Sequence, residues 1–162
     1  MASKKVPSAE PEQLDLGYLA LFVGLRVNEL VSEHLQESGF SGLRNAHGYI
    51  FQHLLAGPVA VTELARALGV SQQAASKSVA ELRELGYLEE AVASDARVRL
   101  VTLSQRGLAA IAATRAFRKK LDRNMHRRYG AELGRLRSVL AAVLTDLGGA
   151  EAVRTRTLRA TR

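Results

Sequence analysis

The chain has 162 residues and a mass of 17.6 kDa, which is the length of one ordinary domain. Its composition, with 47% hydrophobic and 24% charged residues, is typical of a soluble globular protein and argues against wholesale disorder. The sequence contains no cysteine, which excludes a disulfide framework, a thiolate zinc site, an iron–sulfur cluster and a cysteine redox switch.

The formal charge of +7 is unevenly distributed along the chain. Residues 1–93 carry 7 Lys/Arg against 11 Asp/Glu, whereas residues 94–162 carry 16 against 5. A basic half predicts a polyanionic partner, either nucleic acid or an anionic membrane surface, and a solvated basic surface is the alternative. No apolar run is long enough to span a bilayer, and acidic residues stand where a signal peptide carries positive charge. We therefore expect a cytoplasmic protein with no membrane partner.

The first predicted elements are a tail and an apolar helix. Residues 1–12, with two prolines and scattered charges, are predicted to form a flexible tail. Residues 13–37 have helical apolar spacing on more than one face, so this helix should be buried on most sides. Because a small domain has too little mass of its own to cover such a helix, we predict that it is a dimerisation helix.

Shorter elements follow over residues 41–103. Ser41 is predicted to cap a second helix that ends near Leu54. A minor strand is predicted at residues 59–61, and Thr62 is predicted to cap a short helix.

Two helices around Leu68-Gly69-Val70-Ser71 have the pattern of a helix-turn-helix. Gly69 supplies the left-handed backbone that a tight turn between helices needs, and Ser71 caps the second helix, residues 72–85. The residues predicted to face inward are Leu64, Ala65, Leu68, Val70, Ala75, Val79 and Leu82. A plain αα-hairpin of a helical bundle is the alternative interpretation.

The outward face of the second helix favours nucleic-acid binding. Glutamine pairs with adenine, serine bonds to bases or phosphate, and lysine reaches guanine or phosphate, while the helix N-terminus attracts phosphate. A bundle helix more often carries Glu/Lys pairs on that face. Glu81 weakens the prediction, because it would repel phosphate if it faced DNA. The predicted DNA-binding residues up to this point are Thr62, Ser71, Gln72, Gln73, Ser76 and Lys77.

Two strands, residues 87–90 and 97–103, are predicted to follow this helix and to form a wing around a polar turn. Arg97 and Arg99 are two residues apart and therefore share one face of a strand. Arginine at a hairpin tip can enter the minor groove, and Asp95 can orient one of the guanidinium groups. A solvated charged hairpin is the alternative.

The C-terminal part is predicted to be helical. Ser104 caps a long helix that ends near Gly130, and residues 132–147 have the a/d-like apolar spacing of a second dimerisation helix. Residues 148–162 are predicted to be a basic, frayed tail. A basic cluster on the long helix is interpreted as a phosphate-contacting flank, an anion-ligand lining or, by default, a solvated face: Arg115, Arg118, Lys119, Lys120, Arg123, Arg127 and Arg128.

In this order and spacing, the elements resemble the MarR family of bacterial transcriptional regulators over about residues 13–147. The resemblance lies in Leu64-Ala65, Leu68-Gly69-Val70-Ser71, Leu82, Leu85-Gly86-Tyr87-Leu88, Asp95 with Arg97, and Leu103-Ser104-Gln105-Arg106-Gly107. It implies a mainly α fold with a small β-wing, in which a winged helix-turn-helix domain is flanked by N- and C-terminal dimerisation helices. It also implies a homodimer that binds double-stranded DNA at a pseudo-palindromic operator, as a repressor. Ala96, where the family often has a second arginine, reduces the charge of the wing.

The resemblance further implies a small aromatic or phenolic anion as ligand, bound where the dimerisation helices meet the winged domain. Arg26, the only Lys or Arg of the predicted first helix, suits a carboxylate. His47 and Phe51, four residues apart on one helix face, would supply a polar contact and a stacking wall. In the alternative account Arg26 pairs with Glu29 or Glu33, and Phe51 is ordinary core.

No catalytic or metal-binding constellation is recognisable in the sequence. The four histidines form no pair at a spacing of four, and no phosphate-cradling glycine loop or nucleophile elbow is present. We therefore predict no enzyme activity, no metal and no cofactor. Two classes of function remain, a DNA-binding regulator and a winged-helix module for protein–protein assembly. The polar, uncharged helix face and the basic wing favour the regulator.

Overall fold

The computed structural model of the chain describes residues 10–91 and 99–155. The predicted fold class is confirmed: the chain is mainly α-helical with a small β-wing. After a 3-10 turn at Pro11–Gln13, the elements are α1 Leu16–Glu37, α2 Asn45–Leu54, β1 Val59–Ala60, α3 Val61–Leu68, α4 Gln72–Glu84, β2 Leu88–Ala91, β3 Leu100–Leu103, α5 Gln105–Tyr129, α6 Ala131–Asp146 and α7 Ala150–Thr155. Within the described ranges, no helix is both long and apolar enough to cross a membrane.

The three short strands form one antiparallel sheet with the order β1-β3-β2. Val101 of β3 lies opposite Val59 of β1, and Leu103 lies opposite Leu88 of β2. The central strand therefore joins the start of α3 to the wing. The predicted turn of the wing, residues 92–98, lies outside the described residues.

The core of the winged region lies between α2, α3, α4, the sheet and the start of α5. Every inward-facing residue predicted for the helix-turn-helix is buried except Val70, which is half-buried and packs against the core. Tyr87 is fully buried, and its hydroxyl donates to the Ser41 carbonyl at 2.8 Å. Its ring packs at a tilt of 53° against that of Phe51, with 6.1 Å between the centroids, and this contact joins α2 to the strand side of the core.

Two of the predicted serine caps are confirmed. The Ser71 hydroxyl accepts from the Ala74 N–H at 3.2 Å at the start of α4. The Ser104 hydroxyl accepts from the Gly107 N–H at 3.1 Å and donates to the Gly86 carbonyl at 2.6 Å. Gly69 has φ +67°, the left-handed conformation predicted for the turn between α3 and α4.

The cap predicted at Ser41 is wrong. Helix α2 begins only at Asn45, and its N-cap is Arg44. The backbone N–H of Arg44 donates to Nδ1 of His47 at 3.2 Å. The histidine three residues into the helix thus takes part in the cap, and the serine carbonyl is used by Tyr87 instead.

The cap predicted at Thr62 is also wrong. Helix α3 begins at Val61, its N-cap is Ala60, and Thr62 lies in the first turn. Because Ala60 is also the last residue of β1, the strand leads directly into the helix and leaves no position for a polar cap before it.

The two ends of the chain differ from the prediction in detail. Helix α1 begins at Leu16 and not at residue 13, because Asp15 accepts from the Tyr18 N–H at 3.0 Å and caps it there. Gly148 ends α6 with φ +76°. A further short helix, α7, follows where a frayed tail was predicted, and an ion pair of 2.9 Å between Arg154 and Glu151 links its turns.

Helices α1 and α6 both pack against α5. His34 of α1 stacks on Phe117 of α5 with ring centroids 4.2 Å apart. Arg137 of α6 pairs with Asp122 of α5 at 2.6 Å. These contacts make α5 the connection between the winged region and the flanking helices.

The first turn of α5 approaches the sheet too closely for any side chain at Gly107. A Cβ at this position would overlap the Tyr87 carbonyl oxygen and lie 3.2 Å from Leu103 Cδ2. We expect Gly107→Ala to destabilise the protein by about 1–3 kcal/mol, as overpacking does. In Gly48→Ala, the matched control in α2, the new Cβ meets no described heavy atom within 4 Å. Urea unfolding measures both variants, and equal stability of the two would contradict the packing.

Candidate nucleic-acid interface

One face of α4 packs inward and the opposite face is open to solvent. Ala75, Val79 and Leu82 are buried at helical spacing. The side chains predicted to contact DNA from this segment, Ser71, Gln72, Gln73, Ser76 and Lys77, are all exposed. The sequence pattern therefore separates a core face from a polar face rich in hydrogen-bonding groups.

A concave surface of about 540 Å³ lies between the start of α3, the exposed face of α4 and the wing strands. Its lining includes four of the residues predicted to bind DNA: Thr62, Gln72, Ser76 and Arg99. Gln73 and Lys77 are exposed on the same helix but lie outside that lining. Asp95 and Arg97 lie outside the described residues, so no position is assigned to the tip of the wing.

Arg83 also lines the concave surface, and the sequence analysis missed it. Its guanidinium pairs at 2.9 Å with Glu90 of β2, which joins the end of α4 to the wing. Arg83 follows Ser76 by seven residues, two helical turns, so the same periodicity that grouped the polar face would have included it.

Glu81, the residue that weakened the prediction, is held by a neighbour. Its carboxylate forms an ion pair with Arg44, the N-cap of α2, and lies 3.9 Å from Nε2 of His47. The carboxylate is thus compensated by a guanidinium of the protein itself. This contact spans 37 residues of sequence, so no local pattern indicates it.

His47 is fully buried, at 1% exposure. Burial, and after it the neighbouring Arg44 guanidinium, lower the pKa of His47, while the Glu81 carboxylate raises it by less. The imidazole is therefore neutral at pH 7 in the folded protein. It supplies a hydrogen-bonding group and no positive charge.

This shift predicts a pH dependence of stability. Below about pH 6.5, the ordinary histidine value, the unfolded chain binds a proton at His47 that the folded chain does not bind. The free energy of unfolding should therefore fall as the pH decreases from 7.5 to 5. In His47→Gln the free energy of unfolding, measured by urea titration, should depend less on pH over that range. The variant loses the proton uptake of His47 on unfolding and keeps the other three histidines. Parallel curves for the two proteins would contradict the shift.

A cavity of about 100 Å³, here called the interhelical cavity, lies between α1, α2 and α5. Its lining includes Val31, Leu35, His47, Phe51, Thr114 and Arg118. A larger open groove of about 560 Å³ adjoins it and shares Thr114 and Arg118. His47 and Phe51 thus share the cavity, as predicted for the ligand site.

Arg26 is placed differently from the ligand prediction. Its guanidinium pairs with Glu29 at 3.0 Å and with Glu33 at 3.1 Å, on the exposed surface of α1. The arginines that line the cavity are Arg44 and Arg118, and the Arg118 guanidinium donates to the Asn28 side chain at 2.7 Å. Phe51 is 5% exposed and belongs to the core as well as to the cavity wall.

Many apolar side chains of α1 and of residues 131–147 are exposed, and this set of residues is here called the apolar face. Its residues with at least 37% exposure are Leu16, Tyr18, Leu19, Leu21, Phe22, Val23, Leu25, Leu136, Val139, Leu144 and Leu147. Exposed apolar residues at this density are typical of a surface that another molecule covers. Among the described residues, no group of His, Asp and Glu is arranged to hold a metal ion.

These elements define a winged helix-turn-helix protein with additional helices at both ends. Residues 41–98, which run from before α2 into the wing, match the model of the MarR family. None of the curated proteins matches the sequence of this chain significantly.

Solved structures of MepR and of MarR share the fold. MepR, a transcription regulator of the Staphylococcus aureus multidrug efflux pump MepA, is 15% identical and superposes with a TM-score of 0.66 over 83% of this chain and 99% of MepR. A point mutant of S. aureus MepR bound to an oligodeoxyribonucleotide is 16% identical, with a TM-score of 0.60 over 83% and 99%. Wild-type E. coli MarR in the apo form is 22% identical, with a TM-score of 0.60 over 81% and 97%. At these identities the likeness establishes the fold.

Proposed function

We propose that the chain is a DNA-binding transcriptional regulator that acts as a homodimer and represses from a pseudo-palindromic operator. Helix α4 is then the recognition helix. The observation that carries the proposal is the concave surface, which is lined by Thr62 of α3, Gln72 and Ser76 of α4, and Arg99 just before β3. The DNA-bound MepR mutant of the same fold supports this assignment, and the MarR resemblance supports repression.

The chemistry of this surface suits a DNA groove. Glutamine and serine have the donors and acceptors that read base edges, and arginine and lysine pair with guanine or phosphate. Glu90, the acidic residue in its lining, is paired with Arg83, and Glu81 of α4 is paired with Arg44. The surface thus presents neutral polar groups and cations to a polyanion.

The apolar face supports the homodimer. Its residues come from the two terminal regions of the chain, outside the winged region. A second copy that covers it would place two recognition helices about a two-fold axis, with half-sites about one helical turn apart, roughly 10 bp. A closed two-fold dimer is also the commonest way in which a chain buries such a surface.

A gel-shift experiment distinguishes the regulator from a winged-helix module for protein assembly. The probes are the DNA upstream of the chain's own gene and a random fragment of equal length. The regulator should bind the upstream DNA more tightly, weaken steeply with rising salt, and protect two half-sites in a footprint. Equal affinity for both fragments, or none for either, would favour the assembly module. A reporter on the same upstream DNA then tests repression, because deletion of the chain should raise its expression.

We infer that a small aromatic anion binds in the interhelical cavity and the adjoining groove, with Arg118 in the place first predicted for Arg26. Cavities of about 150 Å³ hold one benzene ring, and here the groove extends the space toward the Arg118 guanidinium.

Arg118→Ala should therefore weaken the binding of benzoate about tenfold, because the carboxylate loses its charged partner. Arg26→Ala is the matched control and should bind benzoate like the unmodified chain. Calorimetric titration measures both. Unchanged affinity in Arg118→Ala would remove this residue from the ligand site.

A further inference from the structure

The lining of the concave surface, as far as the described residues define it, contains a single carboxylate, that of Glu90 in β2. This carboxylate forms an ion pair with Arg83 of α4, with 2.9 Å between Oε1 and Nη1. Both side chains are exposed, Arg83 to 42% and Glu90 to 53%. The surface proposed to bind a polyanion therefore carries an anion of its own, which already occupies one of its cations.

The position of Arg83 is fixed by α4. Arg83 follows Gln72 by eleven residues and Ser76 by seven, which are about three and two helical turns, so all three side chains lie on the same face of the helix. The neighbouring Leu82 is fully buried and packs this end of α4 into the core. The guanidinium is paired at one terminal nitrogen and is partly exposed. It can still meet a nucleic acid, but only in the position that Glu90 gives it.

The position of Glu90 is fixed by the register of the sheet. Glu90 lies opposite Val101 of β3, which also lines the concave surface, and residues opposite each other in a sheet point to the same side. Glu89, the preceding residue, lies opposite Thr102 and points to the other side of the sheet. The register, and not the local acidity of β2, thus decides which of the two carboxylates reaches Arg83.

The ion pair opposes contact of Arg83 with phosphate. Affinity for DNA of arbitrary sequence comes essentially from phosphate contacts, and an arginine on a free, flexible stem can follow phosphates in any register. A phosphate that takes Arg83 from Glu90 must replace this ion pair and leaves an uncompensated carboxylate beside the DNA backbone. In a register where the held guanidinium already meets its contact, this cost does not arise. An element that is unfavourable to competing sites raises specificity.

We propose that Glu90 is a specificity-determining residue, because it holds Arg83 back from the phosphates of arbitrary DNA and keeps it in the position used on the operator. The proposal rests on the proposed function for the existence of an operator. The restraint on phosphate contact rests on the ion pair alone. Because exposed ion pairs contribute little to stability, removal of this pair should change DNA binding more than folding.

The test compares a random DNA fragment with the upstream DNA by fluorescence anisotropy over a range of salt concentrations. In Glu90→Gln, the affinity for the random fragment should rise about fivefold, since phosphate no longer competes with a carboxylate for Arg83. The slope of log affinity against log salt should steepen by about 0.9 for each subunit that gains a phosphate contact. The affinity for the upstream DNA should rise less than about twofold, so that discrimination between the two fragments falls.

Two further variants separate this role from a change of overall charge. Glu89→Gln removes the same charge from the same strand, at an exposed residue on the other side of the sheet. Both of its affinities should stay within about twofold of the unmodified chain, because salt screens distant exposed charges. In Arg83→Gln, the further change Glu90→Gln should alter neither the salt slope nor the discrimination, because no cation is released. Urea unfolding should show the same stability for Glu90→Gln and Glu89→Gln.

An unchanged salt slope in Glu90→Gln, or an equal gain of affinity in Glu89→Gln, would overturn the restraint on Arg83. An equal gain for both DNA fragments in Glu90→Gln would overturn its role in specificity. Equal binding of the two fragments by the unmodified chain, with the gain and the steeper slope of Glu90→Gln intact, would instead overturn the proposed function and leave the restraint in place. No binding of either fragment by any of these proteins would overturn both.

Discussion

Phe22→Asp is expected to convert a dimeric protein into a folded monomer. Phe22 is 53% exposed in the single chain and lies within the apolar face of α1. In a dimer the new carboxylate would be buried without a partner, at a cost of several kcal/mol. In the single chain it would remain in solvent, so the winged region should keep its cooperative unfolding.

Sedimentation at about 10 μM protein measures the result, because loss of the partner halves the mass. Leu55→Asp is the matched control, since Leu55 is 39% exposed but lies at the end of α2, outside the apolar face. It should remain dimeric. DNA affinity of Phe22→Asp should fall roughly 100-fold, because two half-sites are no longer bound by one molecule. A monomeric unmodified chain under these conditions would contradict the proposed dimer.

Lys77→Glu is expected to abolish most DNA binding without affecting the fold. Lys77 is exposed on the polar face of α4. It is not one of the buried side chains that pack this helix into the core. The reversed charge would repel phosphate where lysine attracts it, and a dimer carries this change at both half-sites. We expect a loss of about 100-fold in affinity at physiological salt and a shallower salt dependence, measured by fluorescence anisotropy with labelled upstream DNA.

The matched control also tests the basic cluster of α5. Lys120→Glu makes the same change of charge at an exposed residue of that helix, and less than a threefold loss is expected if the cluster is a solvated face. A loss comparable with that of Lys77→Glu would assign the cluster to phosphate contact. If Lys77→Glu itself lost less than threefold, the proposed role of the polar face of α4 would be wrong.

The helix-turn-helix was predictable because its determinants are local. Apolar residues recur at helical spacing on either side of Gly69, whose left-handed backbone follows from the absence of a Cβ. The caps at Ser71 and Ser104 likewise depend on groups three residues away. The helix starts predicted at Ser41 and Thr62 were wrong. Helix α2 begins after Arg44, whose N–H is bonded by the His47 ring, and α3 begins directly after the strand β1.

By itself, the sequence determined which faces of the helices are polar and which are apolar, and so the fold class and the polar face of α4. Which distant side chains meet was decided by the tertiary structure alone. Arg118 reaches the interhelical cavity and Asn28 across 90 residues of sequence, while Arg26, chosen from composition, pairs within its own helix. Glu81 is turned toward Arg44 across 37 residues. Periodicity fixes the direction of a side chain relative to its own helix axis, whereas its partner depends on how whole helices pack, and packing is a property of the complete core.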